Sequence, residues 1–270
     1  MSIWNFSARR CNFVVFHHIP KCGGVSLVAT FSRWFSIVGD YEDSFRSPHT
    51  RDPLDTFHKL SVPLAALNPA SLLCGHFNVP GAFLHQRYPA LLQSRDRFLF
   101  TYVRDPLEVA TSLYYYKHSR NEIHGQTLLQ FLRDQSNYIA HQMPCTASNY
   151  QDVLARYDFI GQLEHVHDHT VALLKLMSCR LFEDESVMAR RVQFLIDTRP
   201  VDFSQRYNEV PRDDQLKRLT ESDLVEFHAN NTLDYKIYDH VTRLRQADSK
   251  RNDEPKSRHH SPILAFLGLL

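Results

Sequence analysis

Three short stretches carry residue types that do chemistry together. Pro20-Lys21-Cys22-Gly23-Gly24 sets a lysine ahead of two glycines, with Ser26 two positions beyond them. Gly75-His76 closes an apolar run, and Arg104 stands eight residues before Ser112. A glycine-rich loop at a helix start presents backbone N–H groups to an anion, and Lys21 adds a full positive charge at its mouth. Glycines keep Cβ atoms out of the path of an approaching phosphate. Arginine grips phosphate through two parallel N–H groups, and a serine hydroxyl adds one donor. Histidine is the side chain suited to taking a proton near neutral pH. The Lys21 loop is not a Walker A loop, in which the lysine follows the last glycine and is itself followed by Ser or Thr.

These residues need elements to hold them. Phe13–Phe16 reads as a buried strand feeding the loop, and a helix then begins near Val25, with Leu27, Val28, Phe31, Trp34 and Phe35 on one face. Gly39–Pro53 is a polar, turn-rich surface loop, suited either to covering an acceptor or to simple connection. Leu54–Leu67 is expected as a helix ending near Asn68-Pro69, and Ser71–Phe77 as a buried strand. His76 then sits at a strand's C-terminal end, where ligands bind in open parallel sheets. Arg97–Val103 is nearly continuous in apolar residues, as a central parallel strand should be. Asp105 is the expected N-cap of a helix running through Lys117, with Pro106 at its first position and Glu108 completing a capping box. Arg104 is thereby held at a strand-to-helix corner; its plainer role is an ion pair with Asp105 or Glu108. Ser112's plainer role is a small residue at a helix contact.

Further along, Tyr157–Leu163 is expected as a strand and Glu164 opens a helix ending near Leu176. His165, His167 and His169 do not form a metal set, because only the first and third share a helical face. Val201–Lys217 is read as a loop, and Leu219–Tyr238 as closing helices. Residues 1–242 form one domain in this reading. Residues 243–270 form a charged linker, Arg243–His260, and a short apolar tail that suits docking on the domain or on a second copy of the chain, which leaves a homo-oligomer open.

With 270 residues, 43% of them hydrophobic, the chain has ample material for a core, and its net charge of +1 argues against nucleic acid or another general polyanion as partner. The first residues, MSIWNFSARRC, hold no apolar stretch long enough for a signal peptide. No segment approaches the roughly 20 apolar residues of a membrane span. Five irregularly spaced cysteines point to reduced thiols in a cytoplasm.

HIPKCGGVS resembles the 5′-phosphosulfate loop, PKTGGTS in type, of the sulfotransferases that use 3′-phosphoadenosine 5′-phosphosulfate (PAPS). It is most similar to the branch holding heparan sulfate O-sulfotransferases and their bacterial relatives. Cys22 and Val25 stand where that branch often has Thr. FTYVRDPLEVATSLYYY resembles the family's 3′-phosphate segment, and Gly75-His76 its base-bearing pair. Gly161 and Glu164 match a later core-strand motif, and Asp234 with Tyr238 a D-x-x-x-Y ending. The resemblance runs in order from about Asn12 to Tyr238. It implies a P-loop-like, three-layer α/β domain with a central parallel sheet flanked by helices. It implies sulfuryl transfer from PAPS to a hydroxyl or amine, with His76 as base and Lys21 at the departing phosphate. Lys21, Cys22, Gly23, Gly24, Val25 and Ser26 would hold the 5′-phosphate, and Arg104 with Ser112 the 3′-phosphate. Arg212 and Lys217 would lie in a basic loop closing over the cofactor. No metal is expected. The family's Golgi members carry a membrane anchor, which this sequence lacks, so the expected acceptor is a small molecule such as a secondary metabolite. The runner-up is a nucleotide or small-molecule kinase of related fold.

Overall fold

The computed structural model describes residues 11–42, 52–94, 96–181, 190, 194 and 214–253. Arg212, the residues 43–51 of the expected surface loop and the apolar tail lie outside them. Five parallel strands form one sheet: β1 (Phe13–His17), β2 (Ser36–Gly39), β3 (Ser71–Gly75), β4 (Arg97–Val103) and β5 (Phe159–Gln162), in the spatial order β2-β3-β1-β4-β5. The inner strands are apolar on both faces because both faces are covered. One face (Phe13, Val15, Leu73, Leu99) packs against α4 (Pro89–Gln93), α7 (Tyr138–Gln142), α8 (Tyr150–Leu154) and the terminal helix α11 (Thr232–Asp253). The other (Val14, Phe16, Leu72, Phe100) packs against α1 (Gly24–Phe31) and α9 (Val166–Leu181). The remaining helices are α2 (Pro53–Lys59), α3 (Leu84–Arg87), α5 (Pro106–Ser119), α6 (Leu128–Arg133) and α10 (Glu221–Asn230). The architecture is the three-layer α/β domain expected of the sequence.

Several boundaries differ from expectation, each for a physical reason. Helix α1 stops at Phe31, and a turn with Trp34 N–H and Phe35 N–H both bonded to the Phe31 carbonyl swings the chain into β2. That strand is an edge, exposed at both ends, so it lacks the apolar run that marks its neighbours. The expected helix over 54–67 is instead α2 followed by a short 3₁₀ turn, Leu64–Ala66, because Leu60 is extended and Pro63 disfavours helix before it. Helix α9 runs to Leu181, past the expected end, and a 3₁₀ turn, Leu163–His165, precedes it. The expected linker at Arg243 is interior to α11, which runs on to Asp253.

Register sets the height of the functional ends. His17 pairs with Gly75 on one side and Thr101 on the other. The Lys21 loop, His76 and Arg104 therefore leave the sheet from the C-terminal ends of three adjacent central strands, β1, β3 and β4. The chain reverses its direction of travel across the sheet there, which makes this edge the natural crevice of an open α/β fold.

Candidate active site

The loop after β1 is shaped from within. Lys21 takes φ 68°, a left-handed conformation uncommon outside glycine, and Gly23 takes φ 82°. A Cβ on Gly23 would lie 2.3 Å from Leu163 Cδ1, and one on Gly24 would lie 1.8 Å from His18 Nε2. The imidazole of His18 thus fills the space that Gly24 leaves. This corrects the expectation that both glycines serve only the approach of a phosphate. Gly23 caps α1 with no side-chain hydrogen bond, and the first turn of α1 holds no acidic residue. Its opening N–H groups therefore face the strand-end crevice as donors. Cys22 is buried, bonded to the backbone of Arg104, and burial pushes its thiol pKa up. Cys22 ties the loop to the end of β4 and is not placed to act as a nucleophile.

Histidines dominate this corner. His17 is 1% exposed, and its Nε2 faces the His76 carbonyl at 3.1 Å. A carbonyl only accepts, so Nε2 carries the proton and Nδ1 accepts from the Tyr157 hydroxyl at 2.7 Å. Burial lowers the His17 pKa to about 4 and keeps it neutral. His17 pins the main chain of His76, one residue beyond β3. His18 lies with its ring 4.5 Å from that of His76. Burial first, then the nearby His76, His17 and Lys21, hold its pKa well below the ordinary imidazole range. The Tyr41 hydroxyl bridges His18 Nδ1 (3.1 Å) and Cys74 Sγ (2.6 Å), and its ring meets His76 edge-on at 4.8 Å. Asp40, just before Tyr41, is gripped by Arg87 through two bonds of 2.6 and 2.7 Å and by the Tyr88 hydroxyl at 2.7 Å. Both charges are buried, so losing either partner would cost about 3–5 kcal/mol and release Tyr41. The Asp40 carbonyl also comes within 2.3 Å of where a Gly75 Cβ would be, which requires the glycine of Gly75-His76.

The corner after β4 is built from charge. Asp105 caps α5 by accepting from Glu108 N–H at 3.1 Å, with Pro106 at the first helical position. Glu108 does not complete the expected capping box. Its carboxylate pairs with Arg104 at 2.7 Å, the plainer role foreseen for that arginine. Glu164 takes the capping place instead, accepting from Asp105 N–H at 2.9 Å, and it also bonds the Tyr238 hydroxyl. Glu164 therefore braces the corner. Asp234 accepts from Ile139 N–H (2.9 Å) and Ala140 N–H (2.8 Å) at the start of α7, with its pKa raised to about 6 by burial. The D-x-x-x-Y ending is thus a brace between α11, α7 and the Arg104 corner.

Ser112 lies on α5, partly buried, two turns from Arg104. Four residues on, Tyr116 shares its face. The ammonium of Lys21 sits over the Tyr116 ring, 4.1 Å from the centroid. Loop, Ser112 face and Arg104 corner are thereby joined into one neighbourhood. Lys217 stands apart from this cluster, exposed and paired with Asp214 at 2.7 Å. Its segment is anchored by Gln215, which accepts from Leu128 N–H at 2.8 Å and donates to the Tyr114 hydroxyl at 3.3 Å. His169 Nδ1 accepts from Gln162 N–H at 2.8 Å, tying the start of α9 to the end of β5. Among the described residues no cluster of His, Cys, Asp or Glu is arranged to hold a metal ion, and no helix is long and apolar enough to cross a membrane.

Sequence reasoning missed His17, His18, Tyr41 and Tyr116. The histidine doublet directly ahead of the loop was the available signal. Tyr41 was hidden in a segment read as surface loop, and Tyr116 in the run Tyr114-Tyr115-Tyr116, whose three rings look alike in the sequence. Tyr114 and Tyr115 do pack, both buried.

The fold and these strand ends define an open α/β domain with an uncapped helix start, a lysine and an arginine at the C-terminal edge of its sheet. No family model matches the sequence, and no curated protein matches it. Among solved structures it is similar to mouse sulfotransferase SULT7A1 complexed with PAP, at 16% identity over 89% of this chain and 92% of that one, with a TM-score of 0.45. It is similar to a sulfotransferase from Alicyclobacillus acidocaldarius, at 17% identity over 83% and 96%, with a TM-score of 0.39. It is also similar to retinol dehydratase in a complex with retinol and PAP, at 13% identity over 84% and 82%, with a TM-score of 0.42. Function rests on the site itself.

Proposed function

We propose that the chain transfers a sulfuryl group from PAPS to a hydroxyl or amine of a small-molecule acceptor. The observation that carries this reading is the convergence of the Lys21 loop, His76 and Arg104 at the ends of three adjacent strands, with Lys21 reaching the Ser112 face of α5. The uncapped start of α1 suits a 5′-phosphate held by the N–H groups of Gly23 to Ser26; the Cys22 N–H, expected to join them, is bonded to the Ile19 carbonyl at 3.2 Å. Arg104 and Ser112 suit the 3′-phosphate, with Arg104 exchanging Glu108 for it.

In the reaction, His76 accepts the proton of the acceptor O–H or N–H. The freed lone pair forms the new bond to sulfur as the bond from sulfur to the 5′-phosphate oxygen breaks. That electron pair leaves on the phosphate oxygen, and Lys21 stabilises its charge. The products are the sulfated acceptor and 3′-phosphoadenosine 5′-phosphate (PAP). Lys217 and Arg212 are proposed to close over the nucleotide. A cytoplasmic location, the expectation raised by five irregularly spaced cysteines, is part of this proposal.

Thermal unfolding in chelator with PAP, ADP or ATP–Mg²⁺ tests the nucleotide. PAP alone is expected to raise the melting temperature, and Arg104→Ala to weaken PAP binding about 10- to 100-fold while leaving ADP unchanged. Stabilisation by ATP–Mg²⁺ with no preference for the 3′-phosphate would replace this reading with a kinase.

A further inference from the structure

We propose that a cavity beside His17 is a second ligand site, shaped for a small carboxylate with an apolar body. The cavity lies in the helical layer, among α3, α4 and α8 and the end of α7, and has a volume of about 110 Å³. Leu84, Met143 and Val153 wall it, each of them buried. Its lining runs from the buried pair His17 and Tyr157 to the exposed Arg156. This is not the acceptor's place in the proposed reaction. The His76 ring packs against His18 and Tyr41, at 4.5 and 4.8 Å, and does not line the cavity. The two places are joined through His17, which holds the His76 carbonyl from below. Occupancy of the cavity therefore does not depend on whether the strand-end crevice takes PAPS.

The inner end has no donor left to offer. His17 Nε2–H is taken by the His76 carbonyl at 3.1 Å, and the Tyr157 O–H by His17 Nδ1 at 2.7 Å. Burial keeps both rings neutral, lowering the His17 pKa and raising that of Tyr157. A carboxylate placed there would lose its water and gain no partner. The rim is the reverse. The Arg156 guanidinium makes no ion pair among the described residues. Its main chain is fixed, because its carbonyl accepts from Arg97 Nη2 at 2.9 Å, and Arg97 is held in turn by Asp158 and the Leu91 carbonyl. No acidic side chain lines the cavity among the described residues. A guanidinium takes a carboxylate through two parallel N–H groups. Polarity thus orders the ligand, with its apolar body inward against Leu84, Met143 and Val153 and its carboxylate outward at Arg156. Size sets the class. An apolar cavity of about 150 Å³ admits benzene. A cavity of about 110 Å³ with an open rim suits one ring or a short branched chain, and not a nucleotide.

Benzoate is the probe, with benzamide as its uncharged counterpart and ionic strength held constant. In protein labelled with nitrogen-15 histidine, the His17 ring signals, assigned through His17→Gln, read occupancy of the inner end without turnover. Benzoate is expected to move them along a saturating curve, and benzamide to bind at least about tenfold more weakly. Arg156→Gln is expected to weaken benzoate about tenfold, to near the benzamide value. Val153→Phe fills the cavity and is expected to abolish the movement; Arg156→Gln changes an exposed side chain and decides the matter if the Phe variant does not fold. His17 signals unmoved by benzoate, benzamide bound as tightly as benzoate, or an Arg156→Gln protein that binds benzoate as wild type does overturns the proposal. A folded Val153→Phe protein that keeps the movement overturns it as well. A saturable shift in a protein that does not bind PAP leaves this site standing and overturns the sulfotransferase reading alone.

Discussion

Two helices begin at neighbouring strand ends and are finished in opposite ways. Helix α1 starts at Gly23 with no side-chain cap and no acid in its first turn. Helix α5 starts under the Asp105 carboxylate, with Glu108 and Glu164 on its first residues. The first corner is lined by neutral imidazoles, His17 and His18, and the second by formal charges. A corner whose fixed amides and neutral imidazoles flank the single charge of Lys21 suits an anion whose charge changes during reaction, because its donors are already in place. A corner built on an arginine with a movable counter-ion suits an anion that is only gripped. On the proposed function, chemistry falls to the β1–α1 side and recognition to the β4–α5 side.

The assignment breaks first at His76. Replacing it with Ala should lower kcat about 100-fold or more while PAP affinity, measured by calorimetry, stays within about threefold. An equal loss in both would erase the division between corners. Next comes the neutrality of the imidazoles. His17, with its folded pKa near 4 against an ordinary 6.5, is uncharged where an unfolded histidine is protonated. Its contribution is complete above pH 6.5 and lost as pH falls toward 4, by at most about 3 kcal/mol. Asp234, raised to about 6, acts in the opposite sense across an overlapping window. The clean readout is therefore the difference between wild type and His17→Gln in denaturant titrations at several pH values, which should flatten the slope.

Smaller effects sharpen the picture. Gly24→Ala drives a methyl into the His18 ring and should cost about 1–3 kcal/mol of stability by urea unfolding, with loss of the PAP-induced melting shift. Unaltered stability would mean that His18 moves aside easily and does not shape the loop. Smallest is Glu108→Gln, which loosens Arg104 from a half-buried pair worth about 1 kcal/mol and should tighten PAP binding about two- to fivefold. Weaker binding would recast Glu108 as a support for Arg104.

The inner strands and the loop were legible because their causes are local. A parallel strand covered on both faces must be apolar throughout, and β4 was readable to its end residues. Edge strand β2 was not, since Ser36 and Gly39 are exposed and Ile37 and Val38 only partly covered. The residues Lys21, His76, Arg104 and Ser112 stood out by type and spacing. Their partners did not, because each partnership joins distant segments: His17 with Tyr157, Gly24 with His18 across the loop, Lys21 with Tyr116, Asp105 with Glu164. A charged stretch at 243 reads as linker until the helix that begins at Thr232 is seen to carry it.

The bond from Tyr238 through Glu164 to the Asp105 N–H has a consequence for the order of events during synthesis. The strand ends that carry Lys21, His76 and Arg104 emerge from the ribosome long before the terminal helix that braces them. A nascent chain lacking α11 has the signature residues but not the brace on the β4–α5 corner. A chain cut short before Tyr238 would carry Lys21, His76, Arg104 and Ser112 without the terminal part of that brace.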